Sequence, residues 1–163
     1  MNGVILQALS HGVVAHALFA FVAFLERRTD GLRSFENFGG LRKINPVFAG
    51  LMGITVFASL GLPGLSGFPA EFLIFKGAFP LAPLACAGAV MGLLLTAIYL
   101  LTFFGNVFLG PLNEKRAQSA ELTMDERAIV IPAIVIAFVL GLAPQLVIAL
   151  FNPTVTSMVQ QLR

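Results

Sequence analysis

Long apolar stretches, separated by short polar connections, follow one another along the whole chain. They cover residues 4–25, 46–62, 69–79, 81–109 and 129–151. An α-helix needs about 20 apolar residues to cross the hydrocarbon core of a bilayer. The first, fourth and fifth stretches reach that length alone, whereas the second and third reach it only together. The pattern predicts an all-α, polytopic membrane protein with about four transmembrane helices in a single membrane region, residues 1–163.

The second of these four helices is interrupted, and an acid follows the interruption. Pro63, Gly64 and Gly67 lie there, and both residue types disfavour a continuous helix, so we expect a break near residues 63–67. Broken membrane helices persist where protein or a watery cavity shelters the freed backbone groups. Glu71 comes next, and a carboxylate inside a membrane costs about 3 kcal/mol on insertion scales, which is typical of ion or proton routes. Together, the break and the acid predict a proton-handling site.

The composition excludes several other classes of protein. Apolar residues make up 58% and charged residues 11% of the chain, against roughly 45–50% and about 25% in soluble domains. The net charge of +2 is too small to indicate a nucleic-acid partner. The single cysteine, Cys86, excludes an intrachain disulfide and any multi-cysteine metal site. The lipid bilayer is therefore the expected environment, and no metal site is predicted.

Basic residues predict how the chain is oriented in the membrane. Eight of the ten lie in two loops, 26–45 and 110–128: Arg27, Arg28, Arg33, Arg42, Lys43, Lys115, Arg116 and Arg127. If each helix crosses once, both loops face the same side, which the positive-inside rule assigns to the cytoplasm. We therefore expect a multi-pass protein of the cell's inner (plasma) membrane with both chain ends outside. The tail, 152–163, has apolar residues at helical spacing and is predicted to form a short interfacial helix.

Three further titratable side chains lie in the apolar stretches. Histidine exchanges protons near neutral pH, so His11 is a candidate member of the proton pathway, with an interhelical hydrogen bond as the alternative. His16 lies about 140° from His11 around a helix, which favours packing or a lipid-interface position. Lys76 lies near one end of its helix, which favours snorkelling to the interface. His16 and Lys76 are secondary candidates. For Glu71, the alternative is a structural acid hydrogen-bonded to backbone freed by the break.

Four motifs occur in order along the chain. They are Ser10-His11-Gly12, Leu25-Glu26-Arg27-Arg28-Thr29, Phe38-Gly39-Gly40-Leu41 and the stretch 60–72 that contains the break and the acid. In this order they resemble the C-terminal part of subunit M of NADH-quinone oxidoreductase (respiratory complex I), an antiporter-like membrane subunit. The sister subunits L and N usually carry lysine where this chain has Glu71, whereas M-type subunits usually carry glutamate.

The resemblance implies a fold, a function and a set of partners. Family members have about fourteen helices in two inverted repeats, so this chain would be the last helices of a partial antiporter-like domain, from a truncated or split subunit. It would contribute Glu71 and His11 to proton translocation coupled to electron transfer from NADH to quinone. NADH, FMN, iron–sulfur clusters and quinone are expected on other subunits, with no cofactor and no redox chemistry on this chain. Expected partners are other complex I membrane subunits and, if it is encoded separately, the missing N-terminal half of the subunit.

Two alternatives stay open. One is a subunit of a multisubunit cation/proton antiporter or membrane hydrogenase, where lysine rather than Glu71 would be usual. The other is a non-conducting structural remnant that keeps the family sequence. The identity of the neighbouring genes would distinguish these two hypotheses from a complex I subunit.

Overall fold

The computed structural model describes residues 1–29, 31 and 34–161, and this part of the chain contains helices and no strands. The α-helices are α1 (Asn2–Arg27), α2 (Pro46–Ser59), α3 (Gly67–Ala78), α4 (Pro83–Phe108), α5 (Met124–Leu142) and α6 (Gln145–Gln161). Single 3₁₀ turns lie in the loops at Phe35–Asn37, Leu41–Lys43 and Glu114–Arg116. The predicted all-α class is confirmed. Arg33, one of the predicted loop cations, and Arg163 at the end of the predicted tail helix lie outside the described residues.

Helix length decides which elements can cross a bilayer unaided. Helices α1 and α4 have 26 residues each and are sufficiently apolar. At 1.5 Å per residue each is about 39 Å long, more than a hydrocarbon core of about 30 Å. Helix α2 is apolar but has only 14 residues. By length and composition the described residues thus contain two spanning helices, or three if α5 and α6 together form one span. That the chain has about four transmembrane helices stays a prediction.

The last apolar stretch, residues 129–151, departs in part from the predicted course. The prolines at 132 and 144 predict kinks within 129–151, and at Pro144 the change is larger than a kink: α5 ends at Leu142 and α6 begins at Gln145 after a bend of 67°. Pro144 lies at the bend, where its missing N–H and its ring cannot continue the helix. Pro132, by contrast, stays inside α5. The helix of the tail therefore begins at Gln145 rather than at residue 152.

The break between α2 and α3 is confirmed, and it is built from two consecutive turns. Gly61 adopts φ +67°, and the amides of Gly61 and Leu62 donate to the carbonyls of Ala58 (3.4 Å) and Phe57 (3.1 Å). This is the pattern in which a left-handed residue, usually glycine, ends a helix. The amide of Leu65 then closes a turn onto the carbonyl of Leu62 at 3.0 Å. Helix α3 restarts at Gly67, so the break covers residues 60–66.

Helix α1 forms the centre of the bundle. It packs against α2, α3, α5 and α6. The ring of Phe48 contacts the rings of Phe21 and Phe108, each with 5.5 Å between centroids. All three side chains are fully buried. Helix α4 is different: among its side chains only those near its two ends are buried, and these include Cys86. Most of its apolar surface is exposed on this chain.

The two basic loops lie against each other at one end of the bundle. The amide of Gly40 donates to the carbonyl of Leu109 at 2.9 Å, and the amide of Asn113 donates to the carbonyl of Gly39 at 3.1 Å. Arg116 adds a bond from Nε to the carbonyl of Asn37 at 3.2 Å. The loops therefore share one face of the bundle, as the charge pattern predicts.

Candidate functional site

Glu71 lies in the second turn of α3, directly beside the break. Because helical side chains lean toward the N-terminus of their helix, its carboxylate reaches back to the end of α2. There it lies over the α-carbon of Gly61. A methyl group at Gly61 would lie 3.1 Å from Cδ and 3.4 Å from Oε1 of Glu71, and it would overlap Oε2. The absence of a side chain at Gly61 thus makes the space for the carboxylate.

The carboxylate of Glu71 has no polar partner within the part of the chain that the structure describes. No hydrogen bond or ion pair reaches it there, and the residue is partly exposed. The described backbone of the break does not provide the hydrogen bonds that a structural acid would need. The group is therefore able to accept and release a proton without first breaking a bond within these residues.

Three neighbouring elements hold the break itself in place. Ser10 of α1 donates from its hydroxyl to the hydroxyl of Ser66 at 2.7 Å, and both residues are buried. A methyl group at Gly67 would lie 2.6 Å from the carbonyl oxygen of Ala58. On α5, a methyl group at Gly141 would lie 2.5 Å from the carbonyl carbon of Leu65. Because α1, α2 and α5 all touch the break this closely, the position of Glu71 is fixed by packing.

The other sequence candidates do not gather around Glu71. His11, His16 and Lys76 are all exposed on the surface of the chain. No hydrogen bond or ion pair among the described residues joins any of them to Glu71. Lys76 lies in the last turn of α3, about 7.5 Å further along the helix axis than Glu71. The described residues also contain no group of three His, Cys, Asp or Glu side chains placed to hold a metal ion.

A buried charge cluster at the loop end of the bundle was missed at the sequence level. The guanidinium of Arg28 donates to both carboxylate oxygens of Glu126, at 2.9 and 2.5 Å. It also donates to the carbonyls of Phe24 (2.9 Å), Ala120 (2.9 Å) and Glu121 (3.1 Å). The two charged side chains are only 11% and 10% exposed. The pair connects the end of α1 to the start of α5.

Glu121 extends this cluster to the start of α2. Its carboxylate accepts hydrogen bonds from the amides of Val47 at 2.8 Å and Phe48 at 3.0 Å. These amides belong to the first turn of α2, which has no partners for them within the helix. One local signal was available in the sequence: Thr123 and Glu126 form a capping box at the start of α5, and Thr-x-x-Glu before an apolar stretch is its signature.

Comparison with known proteins identifies the family. Residues 1–98 match the model of a family described as "NADH:quinone oxidoreductase/Mrp antiporter, TM". NADH-quinone oxidoreductase subunit M of Mycobacterium tuberculosis is 36% identical over 94% of this chain and 28% of its own length. The subunit M of Rhodobacter capsulatus is 34% identical over 98% of this chain and 31% of its own length. The chain thus spans less than a third of the length of these relatives.

A solved structure has the same fold. A chain in the structure of the Mrp complex from Dietzia sp. DQ12-45-1b superposes with a TM-score of 0.76 at 23% identity, over 91% of this chain and 36% of that one. The family match covers more than half of the sequence, including the break and Glu71. The chain therefore belongs to the NADH:quinone oxidoreductase/Mrp antiporter transmembrane family.

Proposed function

We propose that this chain is part of a proton-translocating membrane subunit of an NADH:quinone oxidoreductase and that Glu71 carries the proton. The observation that supports this most directly is the carboxylate at the break, which has no polar partner among the described residues. The relatives named as subunit M of this enzyme support the choice of complex.

The surroundings of Glu71 make both of its protonation states accessible. The apolar helices on either side favour the neutral acid, because an unpaired charge is costly in a membrane. The N-terminus of α3 lies one turn away, and the positive end of its dipole favours the carboxylate. A group that carries protons needs both forms, so these opposed influences suit the role.

Several finer points belong to the same proposal. His11 relays protons to or from Glu71 by way of water or side chains outside the described contacts, and His16 and Lys76 are secondary members. NADH, FMN, iron–sulfur clusters and quinone bind other subunits, with which this chain assembles in the membrane, together with an N-terminal half if that is encoded separately. The basic loops 26–45 and 110–128 face the cytoplasm, since positive residues are retained on that side.

A cation/proton antiporter subunit is the second candidate. The fold shared with a chain of the Mrp complex supports it. Complex I is preferred because Glu71 is the residue that M-type subunits usually have at this position. Proton pumping driven by NADH would support the complex I subunit. Sodium-dependent proton exchange in membranes without NADH would support the antiporter subunit.

The test is replacement of Glu71 in the complete membrane complex. Glu71→Gln keeps the size of the side chain but removes its titratable group, so NADH-driven proton pumping should fall at least tenfold while the complex still assembles. Electron transfer from NADH to an artificial acceptor should be unchanged, because that chemistry belongs to other subunits. Glu71→Asp should retain part of the pumping.

The matched control is Glu114→Gln, which removes an exposed acid from a loop. It should pump like the unmodified complex. Normal pumping by Glu71→Gln would refute the role proposed for this residue.

A further inference from the structure

We infer that Gly61 is a positioning residue for Glu71: because Gly61 has no side chain, the Glu71 carboxylate can pack directly against its α-carbon. This inference rests on the proton-carrying role proposed for Glu71. Gly61 lies in the break, two residues after the end of α2, and Glu71 lies in α3, so the contact connects the break to the second half of the broken helix.

The kind of atom that a side chain at Gly61 would meet sets this glycine apart from its neighbours. At Gly67 and Gly141 an added methyl group would run into backbone atoms of Ala58, Gly64 and Leu65. At Gly61 the nearest atoms are instead the three terminal atoms of the Glu71 side chain. Since that side chain is flexible, a methyl group at Gly61 would displace the carboxylate rather than the helices.

The displacement is large on the scale of proton transfer. Nonbonded carbon atoms pack at about 3.5–4.0 Å, so the overlapped oxygen would have to move by about 1 Å or more. Proton transfer needs donor and acceptor within about 2.6–3.2 Å, and a misplacement of about 1 Å can cost about a hundredfold in rate. No hydrogen bond within the described residues would hold the carboxylate against this push.

The elements that pack on α3 bring few other charges to the site. Helix α2 has no titratable side chain, and the titratable groups of α1 are His11, His16 and, at its far end, Glu26 and Arg27. Those of α5 are in its first turn, at the opposite end from Gly141. Helix α4, which also packs on α3, has only Cys86 and Tyr99 as titratable groups. No charged side chain among the described residues pairs with the carboxylate of Glu71.

A double-mutant cycle in the complete membrane complex tests the inference. Gly61→Ala should lower NADH-driven pumping at least tenfold. The control is Gly64→Ala, which also places alanine at a positive φ (+94°) in the break but lies 3.9 Å from its nearest neighbour, a methyl of Leu142. It should lower pumping less than twofold. Gly61→Asn is a second variant, since asparagine tolerates positive φ, and it should act like Gly61→Ala.

Aspartate at position 71 supplies the remaining arm of the cycle. Its carboxylate is drawn back by one methylene, so an oxygen placed where Cδ of Glu71 lies would be 3.1 Å from the added methyl group and would no longer overlap it. In the Glu71→Asp background, Gly61→Ala should therefore change pumping less than twofold. Equal losses in both backgrounds would mean that Gly61 serves only the backbone turn, and the inference would be overturned.

A second readout uses the full chain alone, in lipid nanodiscs. The infrared band of the protonated Glu71 carboxyl is assigned by its disappearance in Glu71→Gln. Gly61→Ala should shift this band and Gly64→Ala should leave it in place; no difference between the two would overturn the inference. If the band shifts as expected but Glu71→Gln pumps normally, the positioning stands and the proposed function fails.

Discussion

Removing the charge of Glu126 should destabilise the fold more than any comparable change at the surface. Glu126→Gln preserves the shape of the side chain but leaves Arg28 without its counter-ion in a site where both groups are about nine-tenths buried. Breaking a buried ion pair by removing one partner costs about 3–5 kcal/mol. Here Arg28 keeps three carbonyl acceptors and glutamine keeps one acceptor oxygen.

These remaining bonds reduce the expected loss to about 2–3 kcal/mol, or about 30- to 150-fold in the unfolding equilibrium. The assay is reversible unfolding of the full chain in mixed detergent micelles with rising dodecyl sulfate, followed by helical circular dichroism.

The matched control is Asp125→Asn, the adjacent acid in the same first turn, which is exposed. It removes a charge from the same helix end but no described ion pair, so it should cost about 0.3–1 kcal/mol through the helix dipole alone. Equal losses for the two variants would show that the buried pair adds nothing to stability, and the reasoning would be refuted.

Two further predictions follow from the packing and from the loops. Gly141→Ala should destabilise the chain by more than about 1 kcal/mol in the same assay, because its methyl group would meet the backbone of the break. The control, Gly12→Ala, has open space around the added methyl group and should be neutral or stabilising. Equal losses of stability in the two variants would contradict the close contact at Gly141. Lys43→Cys and Lys115→Cys, each in a Cys86→Ala background, should both react with a membrane-impermeant maleimide only from the cytoplasmic side, and labelling from opposite sides would contradict the shared face.

The helices and the break were predictable because their causes are local. Apolar stretches long enough for a membrane predicted helices over most of α1 and α4, and Pro83 lies at the start of α4. Pro63, Gly64 and Gly67 predicted an interrupted second helix, since the missing amide of proline and the low helix propensity of glycine need no distant partner. At Pro144 the sequence predicted a kink but not the end of α5, because a proline can either kink a membrane helix or end it, and the neighbours decide which.

The candidate acid was also visible in the sequence, because one carboxylate among apolar residues is conspicuous wherever the chain places it. What lies beside that acid was not visible. From the sequence alone, Gly61 indicates only a turn. Its contact with the Glu71 carboxylate exists because α3 packs beside α2. Likewise, Gly141 is an ordinary helix residue until α5 packs on the break.

The sequence by itself determined the membrane class, the helices and the acid at the break, because hydrophobicity, helix propensity and the special backbones of proline and glycine act over a few residues. Only the tertiary structure decided which groups meet. Arg28 and Glu126 are 98 positions apart and Ser10 and Ser66 are 56 apart, and nothing in either local sequence specifies the other partner. Such pairs follow from how whole helices pack, a property that the pattern of apolar residues leaves open.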